Sequence, residues 1–241
     1  MSMERMPEGP PALGQVPSNA SDAALARRLQ ILSTEHWSLL ATRSLSWNES
    51  FARAGMFLTL LTGTTVALAL VAQATSFGEG FVLFAVLILP VVLFVGLATY
   101  IRLLEINNED YVWVRGMNRL RSAYLELEPE LAPYFISGTS EDPSAIYQTF
   151  GSLPDEPGSS DSGLFHGFVT TPATIAFVDA MLAAVLAAVV AVQVKMAMLT
   201  ASGIGVVAFF ASAAVLAVIG YRTTAMAHLP PAAESKEEVS P

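Results

Sequence analysis

Four apolar stretches, at approximately 54–74, 81–101, 175–194 and 203–221, constrain this chain more than anything else in it. Each is about 20 residues long, and at a helical rise of ~1.5 Å per residue that is enough to cross a hydrocarbon core of ~30 Å. The cations divide sharply around them. Arg27, Arg28, Arg43 and Arg53 precede the first stretch; Arg102, Arg115, Arg119 and Arg121 lie between the second and third; Arg222 and Lys236 follow the fourth; only Lys195 falls in a short turn on the other side. Positive charge is retained on the cytoplasmic face of a membrane. The expected architecture is therefore all-α: an integral protein of the cell membrane with four transmembrane helices in two hairpins and both termini cytoplasmic.

Composition agrees without any window. Hydrophobic residues make up 53% of the 241 and charged residues only 14%, where a soluble domain is nearer a quarter charged. The length suits a small bundle with cytoplasmic extensions and is too short for a transporter of two six-helix halves. The net charge of −9 arises mostly from acids crowded at 126–161 and 234–238, segments expected to be solvated or disordered. With no cysteine there is neither a disulfide framework nor a thiolate metal site.

Residues 1–20, rich in Pro, Gly and small polar types, are expected to be disordered, with order beginning near Ser21–Asp22 as an N-cap. From there to Ala54 no Gly or Pro interrupts a helix. Leu25, Leu29, Leu32, His36, Leu39 and Leu40 recur at three- and four-residue spacing and form one face. After the second stretch the sequence again runs without proline to Pro129, and Leu103, Ile106, Trp113, Met117, Leu120, Tyr124 and Leu127 trace a near-heptad stripe broken at Asp110. Both faces suit either a lipid surface or a partner helix. A short outer turn brings the two extensions out side by side, and mixed charge in 22–53 favours pairing, within one chain or between two, with Leu29, Leu32, Trp113, Met117 and Leu120 as its core. The predicted first unit is thus 21–128.

Residues 129–171 read as a linker, with Ile146–Phe150 as a short apolar island and Leu164, Phe165 and Phe168 placed as an interfacial anchor. The second hairpin is predicted over 172–222, followed by a disordered acidic tail at 223–241.

Asp179 is the one charged residue inside a predicted span. If the helix core starts near Ile175, the carboxylate lies ~6 Å in, near the positive end of the helix dipole. Two readings stay open: an interfacial acid, or part of an ion or proton path. Thr59, Thr62, Thr64 and Thr65 are expected to return their hydroxyls to the preceding helical turn. Ala180, Ala184 and Ala188 form a small-residue series that a matching surface at Gly205 would meet, letting helix backbones approach. Pro90, inside the second span, is a candidate hinge.

Enzyme signals are lacking. His36, His166 and His228 have no ligand spacing, and there is no HExxH, phosphate loop or nucleophile elbow. Catalytic residues, cofactors, metals and a small-molecule ligand are therefore not assigned. The acidic pair Glu109–Asp110 reads as a solvated face rather than a Ca²⁺ loop. Arginines interleaved with acids, unsupported by lysine, disfavour nucleic acid. The expected partners are the lipid bilayer and further copies of the chain.

The segments EHWSLLATRSLSWNESFARAG and RLLEINNEDYVWVRGMNRLRSAYLELE, flanking a membrane hairpin over residues 22–128, resemble in arrangement small multi-pass membrane proteins of bacteria and the SLATT two-span effectors. That resemblance implies self-association and membrane perturbation. It rests on arrangement rather than on a diagnostic motif, and it carries over no catalytic residue. The hairpin at 175–221 is additional to that architecture.

Overall fold

The computed structural model describes residues 18–150 and 170–227, and side chains over 22–224 within them except that of Tyr147. The expectations for most of 1–20, for 151–169 with the anchor at 164–168, and for 228–241 lie outside the described residues. Among the described residues the protein is all-helical, and four helices are long and apolar enough to cross a membrane.

The first two are far longer than a membrane requires. α1 (Ser18–Thr75) has 58 residues and is ~87 Å long; α2 (Glu79–Leu127) has 49, or ~74 Å. α1 stops where Ser76 and Phe77 adopt positive φ, with the Phe77 amide donating to the Ala72 carbonyl. This back-bonding satisfies the last helical turn without a glycine. Pro129 cannot continue α2, and the chain turns there into a short 3-10 helix, Pro129–Tyr134. α3 (Pro143–Thr149) follows. α4 (Thr171–Gln193) opens with the Thr170 hydroxyl accepting from the Ala173 amide and ends near Lys195, at φ 63°. α5 (Met198–Ala227) is the last described helix and continues through 223–227, where the disordered tail was expected to begin.

α1 and α2 pack antiparallel. One line of half-buried and buried positions on α1 runs Leu29, Leu32, His36, Leu39, Arg43, Ser46, Ser50, Ala54, Phe57, Leu61, Thr64 and Leu68, with Glu49 and Ala67 beside it. The spacing alternates three and four except at Ser46–Ser50–Ala54, where two steps of four follow one another. A 3.5-residue repeat of this kind keeps one seam on the partner helix. Leu40, expected on the same face, turns out of it and is exposed; Leu25 lies toward the free end of α1 and is exposed too.

α2 is the central helix. It packs against α1, α4 and α5, while α1 barely meets α4. The core joins Phe57 of α1, Leu89, Val92, Leu103 and Leu104 of α2, Ile175 and Leu182 of α4, and Leu216 of α5. α4 and α5 approach closely where Gly205 faces Ala184 and Ala188: a Cβ on Gly205 would lie 3.2 Å from the Ala184 carbonyl oxygen and 3.3 Å from the Ala188 Cβ. Ala180 is fully buried. α2 continues unbroken through Pro90, which is exposed.

The part of the expected linker that is described does not run free. Ile146 is buried completely, and α3 and the 3-10 helix lie against α2. The acids and prolines of this stretch read as solvent-exposed chain. Two side chains of α2, Arg115 and Asn118, supply the partners that fold it back.

Candidate functional site

Residues 22–53 of α1 and 102–127 of α2 form two arms that extend beyond the predicted spans. Their pairing is polar at its centre. Arg43 Nε donates to Asp110 Oδ1 at 2.6 Å and Nη2 to Oδ2 at 3.3 Å, across 67 residues of sequence. Asp110 interrupts the apolar stripe of α2, yet it is buried, because Arg43 occupies the matching seam position on α1. Glu109 and Asp110, expected as one solvated face, are divided: Glu109 accepts from Arg102 while Asp110 turns inward. A hundred degrees of helical rotation separates adjacent residues, so one can pair outward and the next into the seam. Of the pairing residues read from sequence, Met117 is buried, and Leu29, Leu32, Trp113 and Leu120 are half-buried. Val114, fully buried, takes the core position between Asp110 and Met117.

Toward the predicted spans, Glu49 bridges the arms. It accepts from Arg102 at 3.0 and 3.2 Å and from Arg53 at 2.7 Å, and these bonds, Arg102 first, lower its pKa to about 2. Toward the free ends, His36 stacks on Tyr124 with ring centroids 5.9 Å apart. Burial, and then the Arg121 charge, lowers the His36 pKa from its ordinary value.

The return segment is tied to α2 by one amide and one acid. Asn118 Nδ2 donates to the Ser140 carbonyl at 3.0 Å, while Asn118 Oδ1 accepts from Thr149 Oγ1 and Arg121 Nη1, each at 2.8 Å. Glu141 accepts from Arg115 at 2.6 Å and Arg119 at 2.9 Å, and these cations, Arg119 first, bring its pKa down to about 2. The Arg43 guanidinium lies 5.4 Å from the centre of the Phe150 ring. Gly138 is required by close approach, since a Cβ there would fall 2.0 Å from the Ala145 carbonyl oxygen.

Within the predicted spans, Tyr100 donates its hydroxyl to the Leu216 carbonyl of α5 at 2.7 Å. Gly220 makes the room, as a Cβ there would lie 2.7 Å from that hydroxyl. Asn108 Nδ2 adds a second link to α5 at the Thr223 carbonyl, 3.3 Å. Thr59, Thr62 and Thr65 donate to the carbonyls of Gly55, Leu58 and Leu61, each at 2.8 Å, as their position in a helix predicts, whereas Thr64, buried on the seam, does not.

Asp179 does not lie in the first turn of its helix, where it was expected. α4 begins at Thr171 and has no acid in its first turn, so Asp179 is the ninth residue and sits ~12 Å along the axis. It is 2% exposed and packs against Gly96 of α2 and the Phe57 ring of α1. Both carboxyl oxygens lack a hydrogen-bond partner. No His, Cys, Asp and Glu group that could hold a metal ion occurs among the described residues.

The interactions sequence reading missed are the long-range ones. Arg43 and Asp110 are opposite charges at matching positions of two apolar stripes, a signal present in the sequence once both stripes are drawn. For Gly96, Asn118 and Gly220 nothing local marks a special role. No family model, no curated protein and no solved structure matches this chain.

Proposed function

We propose that this chain is a non-enzymatic, self-associating protein of the cell membrane, acting as a scaffold, signalling element or membrane effector, with both termini and both arms in the cytoplasm. The positive-inside distribution of Arg supports that orientation. One observation carries the reading. Beside the seam that α2 covers, the α1 arm bears a second heptad, Trp37, Leu40, Ser44, Trp47 and Phe51, whose large members are exposed, Trp37 by 69%. Between His36 and Asn48 the only charge is Arg43, and it is turned in to Asp110.

Lipid covers only part of this stripe. Phe51 and Trp47 fall within the headgroup layer, whereas Trp37, 17 residues before Ala54, stands ~26 Å away along the helix. A parallel second copy of α1, brought alongside by the shared membrane orientation, buries the stripe against itself and closes a four-helix arrangement of arms. The test is the mass of the particle in nanodiscs. A discrete oligomer that Trp37→Glu/Ser44→Glu converts to monomer is expected; a wild-type chain that is strictly monomeric at all concentrations rules the proposal out.

A second reading, a small channel or transporter with Asp179 in its pathway, draws on the unpartnered carboxyl alone. It requires ion or proton flux in liposomes that Asp179→Asn alters, and absence of flux removes it.

A further inference from the structure

We infer that Asp179 and the notch at Gly96 form a proton-binding site that controls how α4 packs against the α1–α2 hairpin. The inference needs neither self-association nor transport.

The notch is a specific steric fit. A Cβ on Gly96 would lie 1.8 Å from Asp179 Oδ1 and 2.8 Å from Phe57 Cε2, so the carboxyl fills the volume that any side chain at 96 would occupy. Val92, one turn along α2, and Ile175, one turn back on α4, are both fully buried, and neither carboxyl oxygen of the acid has a hydrogen-bond partner. Asp179 Oδ1 and Oδ2 are the only buried side-chain polar atoms without a partner among the described residues. Among the described residues, the buried side chains of Thr99, Asp110 and Asn118 are hydrogen-bonded, which is the rule in folded proteins.

The ligand follows from what is missing. Hard cations take six or more oxygen ligands, and here a single carboxyl stands among apolar side chains. Helical carbonyls are occupied by their own ladders. The proton is the one cation that needs no further ligand and no added volume, and with it bound the group is neutral and gains an O–H donor. With it released, a negative charge lies in an apolar junction with no donor in reach, a state that buried carboxylates reach only by gaining a partner or water. Water enters only if α4 moves away from Gly96.

No neighbouring charge can take the place of that movement. On α1 the nearest titratable group is Arg53, bonded to Glu49; on α2 Tyr100 is bonded to the Leu216 carbonyl, and Arg102 to Glu49, Glu105 and Glu109. α4 has no other titratable side chain, and α5 none before Tyr221.

The absence of cysteine allows spin labels at Leu87→Cys on α2 and Val185→Cys on α4, both exposed positions, in the full chain in nanodiscs. Infrared spectra of the same samples report the carboxylic-acid carbonyl band. The expected result is an acid band that Asp179→Asn abolishes and that disappears as pH is raised, with the label distance growing over the same range by ~2 Å, the size of a helix shift. In Asp179→Asn the distance stays short at every pH. Asp179→Leu gives the same comparison with an apolar side chain if the amide variant does not insert. An acid band indifferent to Asp179, or a distance that stays fixed while the band disappears, overturns the inference.

Discussion

Arg43→Met isolates the energetics of the arm pairing. The substitution keeps the aliphatic stem and removes the counter-charge, leaving Asp110, whose side chain is 6% exposed, alone in the seam. Breaking a buried ion pair from one side costs 3–5 kcal/mol; with Arg43 itself 20% exposed, water reaches the pair, and a loss of about 3 kcal/mol is expected. Asp110→Leu is milder, about 1–2 kcal/mol, because the freed guanidinium can turn to solvent and keep the Phe150 ring beneath it. The double variant Arg43→Met/Asp110→Leu has no stranded charge and recovers to within about 1 kcal/mol of wild type. The coupling is then about 3 kcal/mol. Hydrogen exchange of residues 36–50 in nanodiscs reads it directly: ~100-fold faster exchange in Arg43→Met, near wild-type exchange in the double variant. If the double variant exchanges as fast as the two single effects multiplied, the residues are not coupled and the polar centre does not hold the arms.

Arm pairing is also expected to weaken in acid. His36 has a lowered pKa, so its stabilising contribution is present above the ordinary value of 6.5 and is lost as pH falls below it; exchange near Tyr124 should quicken in that range, and His36→Gln should flatten the dependence. Glu141, held at about 2 by Arg119 and Arg115, gives the return segment stability that is full above its ordinary value of 4.5 and declines as pH falls from there toward 2. Glu141→Gln should therefore raise proteolysis within 138–149 at neutral pH and leave little further loss on acidification. Gly220→Ala should force the Tyr100 hydroxyl off the Leu216 carbonyl and lower thermal stability by about 1 kcal/mol, matched by Tyr100→Phe, with the two effects non-additive in the double variant.

The helical class and the four apolar segments were legible because hydropathy is a local property that survives without tertiary knowledge. The end of α2 was legible because Pro129 acts where it stands; the start of α4 and both ends of α5 run beyond their apolar stretches and were not. Pairing was legible only as a stripe. Asp110 looked like an interruption because its neutralising partner is 67 residues away, and the return segment looked solvated because its acids and prolines outweigh one buried isoleucine. Asp179 read as a first-turn residue because hydropathy begins at Ile175, whereas the helix begins at the Pro172 turn. Glycines are the least legible of all. Gly96, Gly205 and Gly220 each matter for an atom on another helix, while Gly55 and Gly63 of α1 have open space beside them.

The length of α1 turns it into a lever. From Ser18 to Arg53 it continues for 36 residues without Gly or Pro, or ~54 Å of rod, paired with the α2 arm from His36 to Glu49 and rooted in the core at Ala54 and Phe57. A tilt of about 5° at that fastening sweeps the free tip through ~5 Å, far more than any side chain at the junction moves. Phe57 touches both the rod and the notch that holds Asp179, so a rearrangement at the scale of one carboxyl group reaches the far end of the arm as a displacement large enough to make or separate an interface.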